Sequence, residues 1–279
     1  MILNQELEQK GDLFPSKIVS FTQEVNSVDF HSDNSVILRL TVLRDSLIRF
    51  RYTTKGYFSN DFSNAIDKGQ SHGYNFLEVL ESDDVYQIKT SKVVCIIQKK
   101  DMKIGIFDLD GKSILEDELG FHWEENYNFG GNIVKMSKTS KDGESFYGLG
   151  DKASHLNLKG KRLENWATDQ YAFHKDQEPL YKVVPFYIGL QNNMAYGIFF
   201  DNTFKTFFDF CAERRNVASF WADGGEMNYY FIYGPQMEDV VTTYTHLTGK
   251  PELPPLWALG YHQCKWSYYP ESKVKEITS

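Results

Sequence analysis

Basic residues are in deficit: 30 Lys and Arg stand against 38 Asp and Glu, for a formal net charge of −8. A nucleic-acid binder needs a basic footprint, and anionic membrane surfaces select one too, so neither partner is expected. Cysteine is scarce. Cys95, Cys211 and Cys264 form no Cys-x-x-Cys pair and no even framework, so free thiols in a reducing compartment are expected rather than disulfides. No run approaches the roughly eighteen apolar residues of a membrane span. The opening MILNQELEQKGD lacks the basic-then-apolar pattern of a secretory signal, and no Asn-x-Ser/Thr sequon occurs. A cytoplasmic protein is the expectation. The seven histidines show no HxH or HExxH spacing, so no metal site has sequence support. Gly-x-Ser-x-Gly is also missing, the glycine turn at 148–150 lacks the Gly-Lys-Ser/Thr ending and following helix of a phosphate loop, and no cofactor is expected.

What is present is strand. Hydrophobic content of 41% and charged content of 24% suit a globular chain of one or two domains. Aromatics reach 15%, with 21 Phe, 17 Tyr and 5 Trp; they fit a β-rich core or a sugar cleft, and composition does not choose. Apolar and polar residues alternate over Val36–Val42 and again over Leu47–Tyr52, with Asp45-Ser46 as the turn between. Lys92–Gln98, Met102–Leu109 and Lys112–Leu115 continue the series, the last two joined by an Asp110-Gly111 turn. Further strands read at Val183–Leu190, Tyr196–Asp201, Thr206–Phe210 and Asn228–Tyr233. Short strands at this spacing predict an antiparallel sandwich.

A helix is predicted over Pro235–Leu247. Proline sits at its first position, Met237, Val240, Val241, Tyr244 and Leu247 form one apolar stripe, and Gly249 and Pro251 stop it. After it, Leu253-Pro254-Pro255 marks a boundary. The apolar run Leu256–Tyr261 then leads into Gln263, Lys265, Trp266 and Tyr268. A short apolar run ending in polar and aromatic side chains reads as a parallel strand carrying a barrel enzyme's mouth residues. A complete barrel takes roughly 250 residues, so the tail reads as the first βα unit of a truncated one.

The tail's Pro-Pro-x-Trp-Ala-Leu-Gly-Tyr-x-Gln-Cys-Lys-Trp-x-Tyr order resembles the opening of the catalytic barrel in glycoside hydrolase family 31, the α-glucosidase and α-xylosidase family. Tyr147-Gly148-Leu149-Gly150-Asp151 is similar to that family's Tyr-Gly-x-Gly-Glu segment, with Asp151 for the usual glutamate. Asn165-Trp166-Ala167-Thr168-Asp169, followed by Pro179-Leu180-Tyr181 and Val184-Pro185-Phe186-Tyr187, is similar to its Asn-x-Asp loop and following strand. The motifs span Phe146 to Ile277 in the family's order. The resemblance implies a mainly β chain: a galactose-mutarotase-like antiparallel sandwich (1–234), a connecting helix and linker (235–252), and the start of a truncated (β/α)8 barrel (253–279).

The same resemblance implies the chemistry. Asp169 would accept hydrogen bonds from hydroxyls of the nonreducing-end sugar, which suits a carboxylate facing two neighbouring donors; its dull reading is a solvated loop aspartate or Asx turn. Trp266 would line the sugar subsites by stacking, or else simply cover the barrel top. Gln263 and Tyr268 read as packing. Lys265 and Ser267 stand where the family more often has Arg and Gly, and lysine lacks arginine's bidentate fork. The glycine turn at 148–150 reads as backbone geometry. A retaining glycosidase needs two carboxyl groups about 5–5.5 Å apart, and the family's Trp-x-Asp-Met-Asn-Glu nucleophile segment is not in this sequence. The expectation is therefore the N-terminal part of a retaining α-glucosidase acting on terminal α-linked glucose, without catalytic residues of its own and inactive alone. Its partner would be an oligosaccharide or α-glucoside, and a homo-oligomer is compatible with the sequence. An α-xylosidase, transglycosylase or glucan lyase of the same family, or a non-catalytic carbohydrate-binding sandwich, are the alternatives.

Overall fold

A computed structural model describes residues 11–69, 74, 77–126, 131–262 and 267–279. Seventeen strands are assigned among them. In order they are β1 (Ile18–Gln23), β2 (Ser27–Ser32), β3 (Ile37–Arg44), β4 (Leu47–Thr53), β5 (Val79–Glu81), β6 (Val85–Lys89), β7 (Val93–Gln98), β8 (Ile104–Asp108) and β9 (Ser113–Asn126). Then follow β10 (Gly131–Thr139), β11 (Ser145–Gly150), β12 (Arg162–Asn165), β13 (Val183–Gln191), β14 (Met194–Phe200), β15 (Thr206–Phe210), β16 (Val217–Ala222) and β17 (Met227–Gly234). They make two antiparallel sheets, in the orders β1-β2-β3-β4-β17-β14-β13-β11 and β12-β15-β16-β10-β9-β8-β7-β6-β5. The expected sandwich is there. The alternation read from Leu47 to Tyr52 resolves as Ile48, Phe50 and Tyr52 facing the main core, with Arg49 and Arg51 on the opposite face.

Aromatic residues from both sheets fill the space between them. Tyr187 meets Phe208 and Phe210 edge-on, and Phe146 stacks on Phe210 at 4.5 Å. Such pairs add about 0.5–1.5 kcal/mol each beyond the area they bury. The outer face of the first sheet carries a second core: Phe199, Tyr230, Ile232 and Leu47 are covered by Val240 and Leu247 of helix α1 (Met237–Thr248). Phe186 lies flat against Tyr244 at 3.9 Å, so the helix stripe read from the sequence is the surface that packs.

Strand directions collect one set of loops at one end of the sandwich. Tyr52, near the end of β4, pairs with Met227 at the start of β17, and Phe200, at the end of β14, pairs with Tyr229. In the other sheet Thr206 at the start of β15 opposes both Ala222 and Asn165. The connections 54–69, 166–182, 201–205 and 223–226 therefore emerge together.

The structure divides into two compact units, the first ending at Thr248 and the second running Gly249–Ser279. In the second, Leu256–Leu259 is one turn of 3-10 helix and Glu271–Thr278 is helix α2. This corrects the sequence expectation for the tail: the apolar run forms no strand among the described residues. A parallel strand is held by hydrogen bonds to neighbours on both sides, and none is present for it here. Its side chains are outward, with Trp257 76% exposed.

Candidate functional site

The Tyr147–Asp151 turn places β11 directly against β13. Gly148 and Gly150 have φ of +129° and +78°. A Cβ on Gly148 would lie 2.5 Å from the Phe186 carbonyl oxygen, and one on Gly150 would lie 2.1 Å from that of Lys182. Only glycine allows both the left-handed backbone and this approach. The motif is structural, and it fixes the C-terminal root of the loop from 166 to 182.

The other root is β12, an edge strand paired to β15 with Asn165 opposite Thr206. Both side chains are buried, and neither amide atom of Asn165 nor the Thr206 hydroxyl has a hydrogen-bond partner among the described residues. Between the roots the loop is cross-braced. Thr168 N–H donates to the Leu180 carbonyl at 3.1 Å, and Asp176 N–H to that of Ala153 at 2.6 Å. Lys152 donates to Glu178 and to the Glu164 carbonyl, both at 2.7 Å. Lys161 and Ser154 hold the Asp176 carboxylate at 2.8 and 2.9 Å, with Lys161 first among the groups that keep it below the usual carboxylate range.

Asp169 stands apart in this loop. Asp151, Asp176, Glu164 and Glu178 each face a lysine, whereas Asp169 forms no ion pair with a described residue. Its Oδ1 accepts a hydrogen bond from the Tyr181 hydroxyl at 2.9 Å. That bond pushes the Tyr181 phenol above its ordinary range. One donor uses one of about four acceptor positions on a carboxylate, so the group can still receive a pair of hydroxyls. In the same loop Trp166, Tyr171, Phe173 and Tyr181 are exposed. An aimed carboxylate among solvent-facing aromatic rings suits a neutral polyhydroxylated ligand, whose hydroxyls need acceptors and whose C–H faces need flat apolar surfaces. The sequence singled out Asp169 but not Tyr181, twelve residues away; only the folded loop brings them together.

Trp266, the second predicted site residue, lies outside the described residues, as do Gln263, Cys264 and Lys265. Tyr268 is half-buried in the second unit. Among the described residues no group of three His, Cys, Asp or Glu is placed to hold a metal ion, and no helix is long and apolar enough to cross a membrane.

Residues 37–209 match the glycosyl hydrolase 31 N-terminal galactose mutarotase-like domain. The chain belongs to glycoside hydrolase family 31. Residues 251–279 match the family's TIM-barrel domain, where the second compact unit lies. The chain is 33% identical over 260 residues to alpha-glucosidase 2 of Bacillus thermoamyloliquefaciens, covering 92% of this chain and 32% of that protein. It is 40% identical over 147 residues to an alpha-glucosidase of Saccharolobus solfataricus, covering 53% and 21%. Among solved structures, a Flavobacterium johnsoniae family 31 dextranase complexed with isomaltotriose superposes with a TM-score of 0.85 at 31% identity, over 95% of this chain and 32% of that one. The chain thus spans about a third or less of the length of these relatives.

Proposed function

We propose that this family 31 chain is the N-terminal part of a retaining α-glucosidase that cleaves terminal, nonreducing α-linked glucose without a cofactor. In this reading residues 1–234 form the sandwich domain, 235–252 connect it, and 253–279 open the catalytic barrel. The nucleophile and acid/base carboxyl groups belong to barrel segments that the 279-residue sequence does not contain, so this polypeptide alone is inactive. The observation that carries the reading is Asp169: it occupies the family's loop motif, and it is the loop carboxylate that Tyr181 aims and no lysine neutralises. Its role is to accept hydroxyl hydrogen bonds from the sugar ring, and Trp266 would add a stacking face. The unpaired thiols of Cys95 and Cys211 support a cytoplasmic setting. The test is kinetic. In the enzyme carrying its complete barrel, Asp169→Ala should lower kcat/KM for an aryl α-glucoside by about 2–4 kcal/mol of transition-state binding, roughly 30- to 1000-fold. An unchanged kcat/KM removes Asp169 from the site.

A second reading within the family, action on α-1,6-linked glucan, is supported by the likeness to the dextranase over 95% of this chain. Comparing kcat/KM for maltotriose and isomaltotriose separates the two.

A further inference from the structure

The loop end of the sandwich holds a cavity of about 460 Å3 that does not include Asp169. Its size falls within the roughly 300–1,000 Å3 usual for small-molecule sites. It lies wholly in the first unit, where the 54–64 segment crosses the ends of β4 and β17 and meets the 201–204 and 224–226 connections.

The wall is built and locked. Arg49 and Arg51, two residues apart on β4, project from the same face. Arg49 grips Asp61 through two hydrogen bonds of 2.7 Å and gives its Nε–H to Asn228 at 2.8 Å. Arg51 gives its Nε–H to Glu226 at 2.5 Å and an Nη2–H to the Ser59 carbonyl at 2.7 Å, while Glu226 also accepts the Ser59 N–H at 2.8 Å. Ion pairing with Arg49 keeps the Asp61 carboxyl below its usual range. Both guanidinium groups are thus neutralised in place, and an anionic ligand would have to displace Asp61 or Glu226 to reach them. That excludes phosphate-bearing ligands and favours a neutral one, because carboxylates already fixed in space still accept from hydroxyls.

The other half of the recognition is apolar and flat. Phe204 rests on the Gly224-Gly225 pair: a Cβ on Gly224 would sit 2.6 Å from its ring, and one on Gly225 3.2 Å. Two glycines in succession make a seat for the ring and leave its other side outward, half exposed. Phe62, 65% exposed, is the second ring of the lining. Large exposed rings beside a fixed ring of carboxylates and amides match a pyranose, with its C–H face on the aromatic and its hydroxyls on the polar rim.

We propose that this cavity is a second, non-catalytic carbohydrate site, taking a neutral di- or trisaccharide with one pyranose on Phe204 and hydroxyls on Asp61 and Glu226. The choice of ligand rests on the glycoside hydrolase reading; the site itself is separate from the Asp169 loop. Two sites on one chain raise the local concentration of a bound glucan.

The test is a calorimetric and saturation-transfer NMR titration of the 279-residue protein with maltotriose, isomaltotriose and inorganic phosphate. Saturable binding of at least one trisaccharide is expected, at Kd on the order of millimolar. Phe62→Ala, at an exposed position, and Phe204→Ala should each weaken it by about tenfold or more, in the otherwise unaltered protein and in an Asp169→Ala background alike. Absence of saturable sugar binding, undiminished binding in Phe62→Ala, or preference for phosphate overturns the proposal. So does loss of binding in Asp169→Ala alone, which moves the sugar to the loop and leaves the α-glucosidase reading intact. Failure of that reading appears separately, as absent hydrolysis by the enzyme with its barrel.

Discussion

Lys138 and Asp117 form an ion pair sealed inside the sandwich, their side chains 1% and 0% exposed. Lys138 Nζ donates to Asp117 Oδ1 at 2.5 Å and to the Tyr229 hydroxyl at 2.9 Å, and the second Asp117 oxygen accepts the Ile104 N–H at 2.9 Å. Asp117→Ala strands a buried ammonium on one neutral acceptor and orphans a backbone N–H. Breaking a buried pair this way costs about 3–5 kcal/mol. The orphaned N–H adds about 1–3 kcal/mol. The deficit should therefore be about 4–8 kcal/mol, against a total of about 5–15 for a folded domain. Urea unfolding of both proteins at pH 7 measures it. The double variant Lys138→Met with Asp117→Ala should regain part of the loss, since an apolar replacement removes the stranded charge. A deficit below about 1 kcal/mol at pH 7 refutes this account of the core.

His122 gives a pH signature. Burial pushes its imidazole below the ordinary value, while the Gly120 carbonyl and Asp12 oppose this, so the folded state binds fewer protons than the unfolded one as pH falls through about 6.5. Stability present above that range is lost as the pH drops, and His122→Gln should flatten Tm between about pH 7 and 5. Gly150→Ala must accept a positive φ and a Cβ 2.1 Å from the Lys182 oxygen; a loss of roughly 2–4 kcal/mol in chemical unfolding is expected, and a loss near zero shows that the β11–β13 approach relaxes freely. Cys95 is enclosed and burial pushes its thiol up to about 12, whereas Cys211 is partly exposed; an aromatic disulfide reagent at neutral pH should label Cys211 and spare Cys95, read by mass mapping.

Strands with strict alternation were legible in the sequence because one face of each is core. Thr206–Phe210 was read with the bounds it has, and Leu47–Tyr52 within one residue. Short edge strands were not. β12 is four residues long and β5 three, too short for a period to register; β12 exists through β15, supplied from further along the chain, and β5 pairs with its hairpin neighbour β6. The tail was legible as the opening of the family's barrel domain, but its strand is not formed among the described residues, because a pattern specifies a strand only where partners satisfy the backbone. At the candidate site, Asp169 was legible through its motif. Its hydrogen bond to Tyr181 was not, and the Arg49–Asp61 and Arg51–Glu226 cavity was not, since the latter pair lies 175 residues apart.

The aromatic excess could mean core or cleft when only composition was in hand, and the fold separates the two uses. Many of the rings interlock between the sheets, as Phe146, Tyr187, Phe208, Phe210 and Phe220 do, which a β-rich core accounts for. The exposed rings of the first unit are differently placed. Among the described residues, apart from Phe14, they are Tyr57, Phe62, Trp166, Tyr171, Phe173, Tyr181 and Phe204, and all belong to the three connections 54–69, 166–182 and 201–205. Rings left over from core building should scatter over the surface, because single exposed apolar side chains carry no positional rule. Their collection at the end where strand directions deliver the loops, beside Asp169 and beside the Arg49–Asp61 wall, is the kind of clustered apolar exposure that marks an interaction surface. Both saccharide proposals rest on that segregation, one on each side of the same end of the sandwich.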